Sequence, residues 1–249
     1  MSPLTVLVTG GSSASGVAAA RALAAAGHRV FTIGSDDVRI KTAALEAGDG
    51  VTPLVCDLAS LDAVRELAET IRQLGIDRVD GVIHLVGGWR SATGIEDQSD
   101  DDWASLEEGA ITTLRNVSRV FYRQLEESPY GRFAMVSSTT ASAPTAATAS
   151  YAAAKAAAEA WTLAVADGFR QAQAGDAQDP APQQAVAPQQ HSAAVIFVVK
   201  SLVDAGMRRE HPERRFPGYT DVEELAAAVV GLFDKPAATI NGQRIVLAK

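Results

Sequence analysis

Cysteine is almost missing from this chain of 249 residues. Cys56 is the single one, which excludes an internal disulfide and fits a reducing compartment, the cytoplasm. No run approaches 18 consecutive apolar residues, so no transmembrane helix is expected. The opening M-S-P-L-T-V-L-V-T-G has neither a basic n-region nor a cleavage site and does not read as a signal peptide. Positive charge is also short: 22 Lys and Arg against 30 Asp and Glu give a net charge of −8, and no basic stripe appears. Neither nucleic acid nor a membrane is therefore expected as a partner. His84 has no second metal ligand spaced near it, so it reads as a packed core residue and no metal site is expected. No internal repeat is visible.

What is present is apolar and alternating. Hydrophobic residues make up 47% of the chain, enough for a substantial core, and the length fits one large α/β domain spanning 1–249. Short apolar runs at 4–8, 29–33, 51–55, 79–86, 133–138, 193–199 and 244–247 read as buried strands. Helical patterns at 17–26, 62–74, 99–127, 151–169 and 221–233 fall between them, and Asp100, Asp101 and Asp102 open the third as the helix dipole favours. The alternation predicts a doubly wound parallel sheet of about seven strands with helices on both faces. Residues 170–190, rich in Gln, Ala and Pro, read as a flexible surface excursion inside the domain.

Two stretches carry chemistry. The first, Thr9-Gly10-Gly11-Ser12-Ser13-Ala14-Ser15-Gly16, follows a strand and precedes a helix. Glycines there let the backbone approach a pyrophosphate, the helix N-terminus offers free N–H groups, and Ser12, Ser13 and Ser15 add hydroxyls. A Gly/Ser turn can also serve only to reverse the chain. Asp57, just past the third strand, could accept from an adenine amino group or cap the helix that begins near Ser60.

The second stretch, 138–155, runs from a strand end through a small-residue loop to Tyr151 and Lys155. Four apart in a helix, these two share a face. A cation about 4 Å from a phenol, at an effective dielectric of about 20, is worth roughly 4 kcal/mol. That could lower the Tyr pKa, ordinarily about 10, by up to about 3. Ser138 could hold a carbonyl or alcohol oxygen against the phenol. Taken alone, Y-x-x-x-K also describes a packed Tyr beside an exposed Lys.

Together these features resemble the short-chain dehydrogenase/reductase family, over essentially the whole chain. The loop looks like its T-G-x-x-x-G-x-G motif, Tyr151-x-x-x-Lys155 matches its catalytic pair, and Ser138 precedes Tyr151 by the usual 13 positions. Val203-Asp204-Ala205-Gly206-Met207 resembles the segment closing over the nicotinamide, and I-N-G-Q-R-I-V-L the last strand. The resemblance implies a Rossmann-type fold and hydride transfer between NAD(P) and a small carbonyl or alcohol substrate. Tyr151 would be the acid/base, Ser138 would orient the substrate oxygen, and Lys155 would lower the Tyr pKa and bond the nicotinamide ribose. Cofactor contacts would fall to Gly10, Ser12, Ser13, Ser15, Gly16, Asp57, Leu58 and Gly87, with Tyr151 and Lys155. The family's dimers or tetramers would be built on helices 99–127 and 151–169, the Ala-rich face 152–165 allowing close approach.

Departures from the family are plain. Ala14 replaces the middle glycine. His84-Leu85-Val86-Gly87 stands for N-N-A-G. The tetrad Asn falls near Ala110, with Asn116 nearly two turns on. Lys200-Ser201 replaces P-G, and Ala205 the usual Thr. Gly34, where NAD-dependent members carry a carboxylate, leaves room for a 2′-phosphate; Asp36 and Asp37 would repel one, while Arg39 could reach it. NADP(H) is favoured over NAD(H). A non-catalytic protein on the same scaffold, and a redox-neutral reaction with a tightly held cofactor, are the alternatives. Trp89, Ala141 and residues 207–216 are expected to line or cover the substrate pocket. The basic cluster Arg208, Arg209, Arg214 and Arg215 reads as a solvated lid rather than an anion site.

Overall fold

The computed structural model describes residues 3–174 and 190–247. Most of the segment 170–190 lies outside these residues; its start, up to Ala172, belongs to a helix. The seven expected strands form as β1 (Thr5–Thr9), β2 (Arg29–Gly34), β3 (Val51–Val55), β4 (Gly81–His84), β5 (Arg132–Ser138), β6 (Ala193–Val199) and, last in the sheet, β9 (Arg244–Val246). All neighbours pair in parallel, in the order β3-β2-β1-β4-β5-β6-β9. β1 and β6 are buried along their whole length, as strands covered on both faces must be. β3 tolerates Pro53 because it is the sheet edge and owes hydrogen bonds to β2 alone.

Side chains alternate between two cores. Leu7, Phe31, Phe133 and Ile196 face α3 (Leu61–Gln73), α5 (Thr113–Glu127) and α6 (Ala149–Ala172), packing with Leu67, Phe121 and Phe169. Val6, Val8, Val30 and Val195 face α1 (Ala14–Ala25) and α8 (Val222–Val230), packing with Leu23, Leu225 and Phe233. The two-residue period of a strand produces this division directly.

Four elements depart from the sequence reading. Residues 37–47 form α2, capped by Asp36 whose carboxylate accepts from Arg39 N at 2.8 Å. The helix expected over 99–127 is three pieces: α4 (Asp100–Leu106), a π-helical segment over Glu107–Thr112, and α5. A small second sheet of β7 (Leu202–Val203) and β8 (Thr220–Asp221) brackets α7 (Ala205–Glu210). A short α9 (Ala237–Ile240) precedes the last strand. β4 spans only Gly81–His84 of the expected 79–86; past it the Leu85 N–H still donates to the Thr9 carbonyl at 3.0 Å, and Leu85 and Val86 line a cavity. That cavity opens at the carboxyl ends of the strands, where the chain's order reverses between β1 and β4, the usual ligand crevice of such sheets.

Candidate active site

The loop after β1 is held by backbone approach. Gly10 has φ +74°, and a Cβ on it would stand 2.7 Å from the Leu85 carbonyl oxygen. A Cβ on Gly16 would meet the Gly10 oxygen at 2.5 Å, so α1 sits on the loop only because that residue is glycine. Ser13 caps α1: its hydroxyl accepts from Gly16 N at 3.0 Å and donates to the Gly10 carbonyl at 2.8 Å. Ser13 thus shapes the loop rather than offering a free donor. Ser15 is buried, 3.1 Å from the Ser13 hydroxyl. Ser12 Oγ is buried without a hydrogen-bond partner. Ala14 is the exposed first residue of α1, and no described non-glycine residue has positive φ, so the methyl in place of the middle glycine is unstrained.

Beyond the loop is a cavity of about 370 Å³ lined by Gly10, Ser12, Gly34, Arg39, Asp57 and Leu58, among others. A Cβ on Gly34 would meet Ser12 Oγ at 2.8 Å, so no carboxylate-bearing side chain fits there without displacing that serine. Of the two carboxylates expected to repel a phosphate, Asp36 is engaged as the α2 cap and Asp37 pairs with Lys41 at 2.7 Å. Among the described residues, no carboxylate lies within ion-pair distance of the Arg39 guanidinium. Asp57 Oδ1 accepts from Ala59 N at 2.9 Å, while Ser60 caps α3. Asn116 is not at the catalytic end: its amide donates to the Leu58 and Ala59 carbonyls at 3.1 and 2.9 Å, pinning this wall.

A second cavity, about 770 Å³, shares Leu85, Val86 and Gly87 with the first, so the two form one crevice. Ser138, Tyr151 and Lys155 all line it. Ser138 ends β5 and starts a 3₁₀ turn over Thr139–Ala141, its hydroxyl donating to Thr140 Oγ1 at 3.0 Å. Tyr151 lies in the first turn of α6 and Lys155 one turn on, its ammonium donating to the Val136 carbonyl at 3.0 Å and standing 5.9 Å from the Tyr151 ring centroid.

The electrostatics correct the sequence reading. Burial pushes the Tyr151 pKa up, and contact with the Ser138 hydroxyl only partly opposes this. Burial also brings Lys155 down to about 8, with Glu159 pulling the other way. Lys155 is turned to a backbone carbonyl, and the desolvation of the phenol dominates. The phenol is therefore protonated at neutral pH. His84 is a core residue, as expected, but a working one. Its Nδ1 lies 2.8 Å from Thr9 Oγ1 and its Nε2 3.2 Å from Thr113 Oγ1. Thr113 Oγ1 donates to the Gly109 carbonyl, so it accepts from Nε2–H, and Nδ1 accepts from Thr9. Burial, with Lys155 nearby, holds its pKa down at about 3. His84 thereby ties β1 to the first residue of α5, directly after the π-helical segment. There Ala110 clusters with Leu106 and Ala154, with Tyr151 packed against the group, and supplies no polar group.

Trp89 and Met207 line the cavity as expected; Ala141 does not, its neighbour Thr140 being turned inward instead. Arg214, within the expected 207–216, also lines it, while sequence reasoning missed Lys200, Ser201 and Tyr219 on this wall. Only the folding of the segment between β6 and α8 brings them there.

Comparison with known proteins agrees with this fold. A sequence model described as short chain dehydrogenase matches residues 4–173. A short chain dehydrogenase of Pseudocercospora fijiensis is 29% identical over 157 residues, 61% of this chain and 50% of that protein. The chain thus spans about half the length of that relative. Among solved structures, an NAD+-bound xylitol dehydrogenase superposes with a TM-score of 0.79 at 18% identity, over 99% of this chain and 98% of that one. A short chain oxidoreductase from Pseudomonas aeruginosa PAO1, described as containing an atypical catalytic center, superposes with a TM-score of 0.80 at 21% identity over 98% and 95%. At these identities the structural likeness speaks for the fold.

Proposed function

This chain belongs to the short chain dehydrogenase family, and from that premise we propose that it is an NADP(H)-dependent oxidoreductase that reduces a small carbonyl compound to the alcohol. The observation that carries the reading is the convergence of Ser138, Tyr151 and Lys155 on one crevice that continues to the glycine loop.

The residues present fit a dinucleotide. The partnerless Ser12 hydroxyl and the cradle at Gly34 lie beside the α1 N-terminus, where a phosphate is favoured. Asp57 and Leu58 form the adenine wall, Gly87 marks the passage between the two cavities, and Lys155 holds the nicotinamide ribose. The 2′-phosphate of NADP is read by Arg39, which among the described residues pairs with no carboxylate, in the cavity that it lines together with Gly34. When bound, the reduced nicotinamide supplies the hydride that goes to the carbonyl carbon. Tyr151 gives its phenolic proton to the carbonyl oxygen, Ser138 donates to that oxygen beforehand, and the Lys155 ammonium steadies the phenolate that remains. A protonated Tyr151 at neutral pH suits this direction. Positioned acid catalysis of this kind contributes about 10²- to 10⁴-fold. The functional unit is a homodimer or homotetramer built on α5 and α6.

Titration with NADPH and NADH, followed by energy transfer from tryptophan, tests the cofactor. NADPH is expected to bind about tenfold tighter, a difference that Arg39→Ala abolishes. A carbonyl screen with NADPH then identifies turnover, which Tyr151→Phe should lower by at least about 10². Turnover unchanged in that variant would refute the assignment; binding of neither cofactor would leave a non-catalytic scaffold.

A further inference from the structure

The cavity beside Tyr151 has a charge pattern that hydride transfer does not require. Its wall carries three cations, Lys155, Lys200 and Arg214, and no Asp or Glu. Lys155 is accounted for by the proposed ribose contact. Lys200 and Arg214 are not. Lys200 directly follows β6, and its ammonium donates to the Pro217 carbonyl at 3.1 Å. Arg214 lies between α7 and β8. Its guanidinium stands 5.2 Å over the Phe216 ring and 5.9 Å over the Tyr219 ring, and donates to Tyr219 Oη at 3.3 Å.

Among the described residues, no carboxylate reaches ion-pair distance of either group. The same lid contains Asp204, Glu210, Glu213 and Asp221; Asp204 caps α7 and Asp221 pairs with Arg208 at 3.2 Å, and none of the four forms an ion pair with Lys200 or Arg214. The protein as a whole is acidic, at −8, so two unneutralised cations on one cavity wall do not reflect its average surface. Arg214 is also stacked against two aromatic rings. A guanidinium already fixed by stacking loses little freedom on binding, and its planar fork matches a carboxylate.

We propose that the substrate taken by this site carries a carboxylate, so that it is an oxo acid or the corresponding hydroxy acid, with Arg214 and Lys200 binding the carboxylate while the carbonyl faces Tyr151. The acid–carbonyl pairing rests on the redox function proposed above; the anion site itself does not. Lys200 thus puts a cation where the family resemblance has the neutral P-G, and Arg214 joins it from the lid. The anion these cations take could also be the cofactor's own diphosphate, and the experiment separates the two.

The probes are pyruvate, 4-oxopentanoate and 5-oxohexanoate, each paired with its methyl ester. Binding is measured calorimetrically to the protein alone and to the protein saturated with NADPH, for wild type and for the Lys200→Gln/Arg214→Gln double variant. Both side chains are exposed, so the variant is expected to fold, which circular dichroism checks. At least one acid should bind the wild type about 10-fold or more tighter than its ester. The double variant should lose that difference and keep its NADPH affinity. Esters binding as well as acids, no acid binding at all, or a preference that survives the double substitution would each overturn the proposal. A loss of NADPH affinity in the double variant would assign the cations to the cofactor and overturn it too. Acid binding without NADPH binding or consumption would sink the redox reading and leave the anion site standing.

Discussion

At Lys155 the demands of stability and of chemistry oppose each other. Its ammonium is buried, its one hydrogen bond goes to the Val136 carbonyl, and its pKa falls to about 8. The folded pKa lies below the unfolded one, near 10.4, so between those values the unfolded chain holds the extra proton. Stability therefore rises with pH from about 8 to about 10.4, and the cost of burying the charge is fully present below 8. That cost is about 3 kcal/mol at 1.36 kcal/mol per pH unit. Lys155→Met removes it and forfeits one hydrogen bond worth about 1 kcal/mol. The variant is expected to be about 2 kcal/mol more stable than wild type at pH 7, to lose that advantage by pH 10, and to be inactive. Urea midpoints at the two pH values decide it. A variant less stable at pH 7 would mean the ammonium is better solvated than its burial implies.

At the scale of elements, α5 supports the cofactor wall from a distance. Asn116 projects from it to the Leu58 and Ala59 carbonyls, next to Asp57. Asn116→Ala leaves two carbonyls without their donor and is expected to cost about 1–3 kcal/mol. It should also raise the Kd for NADPH several-fold while kcat changes little, the reverse of Tyr151→Phe. An unchanged Kd would show that the wall holds its shape without this tether. Much of this architecture was readable beforehand. Fully buried parallel strands are unbroken apolar runs, and the Ser138, Tyr151 and Lys155 spacing survives from chain to cavity because one strand and one helix carry it. Other parts were hidden for physical reasons. α2 went unread because Asp36 and Asp37, which open it, favour turns as much as helix caps. β7 and β8 are two residues each, too short to show any period. The π-helical turn leaves no mark in a hydrophobic pattern. The direction of the Tyr151 pKa depends on burial, which spacing does not encode. Lys200 and Arg214 meet only through the folding of the lid.

At the scale of the whole molecule, the sheet's reversal between β1 and β4 places one crevice, and α5 and α6 place the opposite requirement, a surface to cover. The sequence suggested that the Ala-rich face of 152–165 would meet another subunit. Ala152, Ala154 and Ala158 are instead buried in this chain's own interior. The outward face carries Ala153, Ala156, Ala157, Ala160, Leu163 and Ala164, all exposed. It continues into a groove of about 430 Å³ lined by Ser118, Arg119, Tyr122, Trp161, Ala164 and Val165. Trp161 is braced there, its indole donating to Ser118 Oγ at 2.8 Å with Arg115 5.2 Å over the ring. Small side chains let a second copy's helices approach closely, and a braced aromatic needs little ordering to be buried. A dimer or tetramer of 26.0 kDa chains is thus the expected species in light scattering at micromolar concentration. Ala164→Arg puts a long charged side chain into the groove and should shift the population toward monomer, with cofactor binding retained because the crevice lies at the strand ends. Wild type that stays monomeric, or a variant that assembles as before, would place the subunit contact elsewhere and leave this face to solvent.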